Sequence, residues 1–226
     1  EWYNPLVIHM EIKFVEKYIN YFLDKINWKP KINVHLYDNK MEMYKARIAM
    51  TRDNLIREYL ERDNCISSSG TYIIPPKNDE EYDILLVRSD ILIYDLWHEM
   101  VHVWNYHKVI ENGFNYMDVV TNVTLYNWDE FQARRISTIM FFEYLETESG
   151  EKFKSQDYFN KLAQILQKEI KDLELVDENI IKYNLMQYLG FISAVEEICD
   201  GFFQMPKFIE NTPGILEQYN VLKKSI

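Results

Sequence analysis

Between Leu96 and Trp104 the chain reads Leu-Trp-His-Glu-Met-Val-His-Val-Trp, and no other stretch constrains the fold as tightly. Apolar residues fall at nearly every helical angle, so a helix here must be buried on most sides. Yet it carries two imidazoles and a carboxylate, and buried polar groups need partners. His98 and His102 are four residues apart, which puts both rings on one helical face, one turn from each other. Two nitrogens so placed can grip one tetrahedral Zn²⁺ at about 2.0–2.1 Å each. Glu99 can reach a water activated by such an ion and act as general base without being a ligand. The chain has 5 His and 36 acidic residues among 226. With every acid counted as Glu, chance supplies the pattern in about 2% of such chains. The plain alternative is a pair of surface histidines on an ordinary helix. The uncharged neighbours Met100, Val101, Val103 and Trp104 argue against it.

A catalytic zinc site takes three protein ligands and keeps one position open. Position 108, ten residues after His98, is Lys108. His107 follows His102 by five residues and so turns about 140° from the metal face. The better candidate is Glu130, in Asn127-Trp128-Asp129-Glu130-Phe131-Gln132-Ala133-Arg134. Ala133 lies about one turn beyond it on the same side, where a small residue admits a close neighbour. Asn127-x-x-Glu130 also reads as a capping box, which would spend Glu130 on the helix start. Asp129, Asp118 and Glu111 stay open as alternatives.

The surrounding pattern alternates strands and helices. Leu6, Met10, Phe14, Tyr18 and Phe22 mark a helix over 6–26. Ile32, Val34 and Leu36 mark a half-buried strand over 31–37. A charged amphipathic helix is expected over 41–62 and a loop at 67–70. Thr71–Ile74 reads as an edge strand stopped by Pro75-Pro76, and its free edge could take an extended peptide as a further strand. Ile84–Val87 reads as the buried half of a central strand over 82–87. Ser89 or Asp90 can cap a helix running to about Lys108. Further helices are expected from Asn127 to about Glu146 and over 155–175 and 179–203, with a short one closing the chain. A composition shift at Thr147–Gly150 suggests two parts, 1–150 and a helical 151–226.

Composition narrows the partners. An aromatic share of 15% and a hydrophobic share of 47% exclude disorder as the main state. A net charge of −11 disfavours nucleic acid and anionic membranes as partners. No apolar run approaches the ~20 residues of a membrane span. Two cysteines, Cys65 and Cys199, make a disulfide framework unexpected and fit a reducing, cytoplasmic setting.

With His98-Glu99-x-x-His102 and Glu130-x-x-Ala133 on the page, the chain resembles the zincin metallopeptidases, over about residues 71–146. More narrowly it resembles the gluzincin branch, in which a Glu on a following helix is the third ligand. In layout it is similar to the small bacterial ImmA/IrrE-type peptidases, a family associated with cleaving a regulator protein. Arg134 stands where that family often has Asn. The resemblance implies an α+β, zincin-like fold, with a small, mostly antiparallel sheet packed on the metal helix and added C-terminal helices. It implies zinc held by His98, His102 and Glu130, Glu99 as base, and a protein or peptide substrate. Tyr126, Arg134, Arg135 and His35 are candidates to steady the oxyanion, and Asp95 could orient a ligand histidine. The competing expectation is a binding or regulatory protein on the same scaffold that turns nothing over.

Overall fold

A computed structural model describes residues 14–63, 68–75, 81–88, 93–114, 122–150, 178–199, 205–211 and 213–225 of the chain. The chain divides into two compact units, Glu1–Thr121 and Asn122–Ile226. The composition shift at 147–150 therefore falls inside the second unit, at the end of a long helix.

The first element among the described residues of this first unit is α1 (Val15–Ile26), whose buried face is Tyr18 and Phe22. Phe14 precedes the helix and is exposed; Leu6 and Met10 lie outside the described residues. β1 (Lys31–Tyr37) follows as expected. The single helix expected over 41–62 is two, α2 (Lys40–Met50) and α3 (Asn54–Asp63). The break has a local cause. Thr51 turns its hydroxyl back to the Arg47 carbonyl at 2.7 Å. Asp53 accepts from the Leu55 and Ile56 N–H groups at 2.8 and 3.0 Å, starting a new helix as its N-cap.

β2 (Gly70–Tyr72) and β3 (Glu81–Val87) complete a sheet of order β1-β3-β2. β3 is central and β2 sits at an edge, as expected. The expectation of a mostly antiparallel sheet is corrected: β1 pairs with β3 in parallel, and only β2 runs antiparallel to it. The long β1-to-β3 connection, carrying α2 and α3, is the kind of crossover that a parallel pair requires.

The two faces of the sheet separate by alternation. Leu85 and Val87 join Met43 of α2 and Ile73 in one buried cluster. Gly70, Tyr72, Tyr82 and Leu86 turn the other way, toward α4 (Ile93–Glu111). Trp97 fastens α4 to α1: its indole N–H donates to the Tyr18 carbonyl at 2.9 Å, and its ring stacks on Tyr21. Asn112-Gly113 ends α4 in a Schellman motif, with Gly113 at φ 91° and N–H bonds from Gly113 to Ile110 and from Phe114 to Val109. The expected caps Ser89 and Asp90 lie outside the described residues.

The second unit is helical among the described residues: α5 (Val123–Ser149), α6 (Glu178–Cys199), α7 (Lys207–Glu210) and α8 (Pro213–Lys224). α5 starts five residues earlier than expected, because Asn122 rather than Asn127 caps it, accepting from the Thr124 and Leu125 N–H groups. The expected helix over 155–175, the end of the one over 179–203, and Cys65 lie outside the described residues. Cys199 is buried. Among the described residues no helix is long and apolar enough to cross a membrane.

α6 approaches α5 very closely at Gly190. A Cβ there would sit 2.3 Å from the Phe131 carbonyl oxygen and 3.0 Å from the Arg134 Cβ. α8 is held to α6 by Glu196, which accepts from the Tyr219 hydroxyl and from the Lys223 ammonium, the latter at 2.7 Å.

Candidate metal centre

α4 buries His98, Glu99 and His102 in its middle turns. The spacing works as the sequence implies: the two Nε2 atoms lie 3.1 Å apart, with the rings nearly perpendicular. Ligands at about 2.0–2.1 Å from one tetrahedral ion are about 3.3 Å from each other. The observed separation falls within a few tenths of an ångström of that value.

β2 lies against this face of α4. Tyr72 stacks on His102 at 5.6 Å and 15°. Tyr94, one turn before His98, lies 6.1 Å from its ring. A Cβ on Gly70 would come 3.0 Å from Glu99 Oε1, 3.2 Å from its Cγ and 2.9 Å from Leu86 Cδ2. Any larger residue there would press on the Glu99 carboxylate.

Glu130 belongs to α5 and is buried. Because α5 begins at Val123, Asn127 is an interior helical residue. The capping-box role for Glu130 therefore falls away. Instead Glu130 Oε2 accepts a hydrogen bond from the Gln187 side-chain amide at 3.2 Å. Ala133, one turn on, is fully buried. Among the described residues, His98, His102 and Glu130 form a group able to hold a metal ion: one ligand atom of each lies within 4.8 Å of the others, and all three residues are buried. Two imidazoles and a carboxylate are the donor set of a catalytic zinc site with one position open.

Of the alternative ligands, Glu111 is engaged elsewhere. Glu111 is exposed at the far end of α4, 3.2 Å from His107 Nε2. His107 is occupied there too, its Nδ1 3.2 Å from the Tyr82 hydroxyl. Asp129 is half-buried; Asp118 lies outside the described residues.

Of the oxyanion candidates, His35 is 2.8 Å from Asp83 on the sheet and Arg135 is paired with Glu197. Arg134 sits over the Phe191 ring at 5.8 Å, and Tyr126 is half-exposed. Asp95 is half-buried in the first turn of α4.

Three residues beside the candidate ligands and base carry no distinctive signal in the sequence. Gly70 falls in a Ser-Gly loop pattern and Tyr72 in a short strand pattern. Gln187 sits in a stretch with no motif at all. Comparison of the chain with protein-family models, with curated proteins and with solved structures finds no match.

Proposed function

We propose that the protein is a zinc-dependent metallopeptidase of the zincin type, with His98, His102 and Glu130 as ligands and Glu99 as general base. The observation that carries this reading is the gathering of two imidazoles and one carboxylate, all buried, with their ligand atoms within 4.8 Å. Two imidazoles and a carboxylate are a donor set whose chemistry fits a divalent cation such as zinc.

A zinc ion held there would polarise a scissile carbonyl and acidify the attacking water. Glu99, adjacent to His98 in sequence, takes the water proton as the oxygen adds to the carbonyl carbon. It then delivers that proton to the amine nitrogen as the C–N bond breaks. Gly70 leaves the Glu99 carboxylate room beside the strand. The substrate is an extended peptide segment that adds to the outer edge of β2. Ser69 and Ile73 spend backbone groups on β3, so the alternating residues Gly70 and Tyr72 turn theirs away from it. That edge runs past Glu99 and His102, which supports delivery of a peptide carbonyl to the site.

The test is Glu99→Gln, assayed on a quenched-fluorescent peptide library beside the wild type. Zinc content should be unchanged while hydrolysis falls by about 10²–10⁴-fold, the usual contribution of a general base. Turnover equal to the wild type would refute the assignment. A wild type that binds zinc but cleaves no peptide would favour a binding protein on this scaffold.

A further inference from the structure

The second unit does more than enclose the helix that carries Glu130. We propose that Gln187 of α6 is the positioning residue for Glu130 as a metal ligand, an inference that rests on the metal-site reading above.

A carboxylate has two oxygens, and a monodentate ligand must offer one of them in a fixed direction. The Gln187 amide donates to Oε2 of Glu130 at 3.2 Å. An ionised carboxylate only accepts, so the amide nitrogen must be the group that faces it. The bond fixes the rotation of the carboxylate about its last side-chain torsion, which is otherwise broad. The other oxygen, Oε1, would then be the one offered to an ion.

Gly190 makes this reach possible. It lies three residues after Gln187, on the same face of α6. Its bare Cα lets the helix press against the backbone of Phe131, the residue next to Glu130, where a Cβ would have only 2.3 Å. The glycine and the glutamine thus act together: one brings α6 close, and the other uses the closeness to hold the carboxylate. This gives the C-terminal helices a part in the site that no motif announces.

The experiment measures zinc affinity by competition with a chromophoric chelator, on wild type, Gln187→Met and Gln187→Ala. The thermal unfolding of each metal-free protein is recorded beside it. Partners that orient a ligand are worth about 10–100-fold in metal affinity. Both variants should therefore bind zinc about 10–100-fold more weakly, while their metal-free melting temperatures stay within a few degrees of wild type. Two variants are used so that a folding defect peculiar to one leaves the other to decide. Equal zinc affinity in wild type and a folded variant overturns the role of Gln187 and leaves the metal site standing. A wild type that binds no zinc overturns the metal site, and this role with it.

Discussion

Replacing Gly190 with Ala sets two effects against each other, and the structure says which wins. Alanine is preferred over glycine inside a helix by about 1 kcal/mol, so propensity alone predicts a more stable protein. The added Cβ, however, would sit 2.3 Å from the Phe131 carbonyl oxygen, where ordinary contact starts at 3.4 Å. The neighbour is backbone inside α5, not a side chain that can swing aside. The two helices must therefore part by about 1 Å, in interiors packed too closely to absorb it. Overpacking of this kind costs about 1–3 kcal/mol. The upper part of that range applies, because the backbone cannot yield. The net loss is about 1–2 kcal/mol once the propensity gain is subtracted. For a chain of this length each kcal/mol lowers the melting temperature by about 2–4 °C, so a fall of about 2–8 °C is expected in calorimetry or circular dichroism. Zinc affinity should fall as well, since Gln187 is carried away from Glu130. An unchanged or raised melting temperature would refute the close-approach argument.

Three further outcomes follow from other parts of the molecule. Gly70→Ala puts a methyl group against the Glu99 carboxylate; kcat should drop by about tenfold or more with zinc stoichiometry unchanged, since small misplacements of a reacting group are costly. Normal kcat in that variant would show that Glu99 has slack the structure does not suggest. Burial pushes the Glu196 carboxyl up, but hydrogen bonds from Lys223 and Tyr219 and the Lys223 charge outweigh it and hold the group below its ordinary value of 4.5. A carboxyl lowered on folding adds stability above its unfolded pKa, and that stability is lost as pH falls through the folded value. Glu196→Gln should therefore melt lower than wild type at neutral pH, with the gap closing on acidification below about pH 4.5; a gap independent of pH would contradict this. Removing bound metal should lower the melting temperature, because a ligand present at about 100 times its Kd stabilises by about 2.7 kcal/mol. Identical melts with and without a chelator, on protein shown to hold zinc, would contradict that linkage.

What could be read from the sequence tracks the range of the interactions involved. His98, Glu99 and His102 are legible because helical spacing alone sets their geometry. The β3 strand is legible because a run of buried apolar residues fits little else. Glu130 was reachable only as a candidate, since its competing role as a cap depended on where α5 begins. The structure moves that start from Asn127 to Asn122. Both residues are good caps, and nothing local chooses between them. The parallel pairing of β1 with β3 depends on the route of the intervening chain, which no strand pattern encodes. The break between α2 and α3 was signalled by Asp53, but a continuous charged helical pattern masked it. Gly70, Tyr72 and Gln187 were illegible for one shared reason. Each acts on a residue far away in sequence, and single-chain periodicity carries no trace of such pairs.

The most direct test of the account is zinc stoichiometry by elemental analysis, on the wild type and on Glu130→Ala purified in parallel. Close to one zinc per wild-type chain and a clear loss in the variant are expected, with His98→Ala losing it as well. Full zinc in Glu130→Ala would move the third ligand elsewhere. A wild type that takes up no zinc, even after reconstitution, would contradict the central claim.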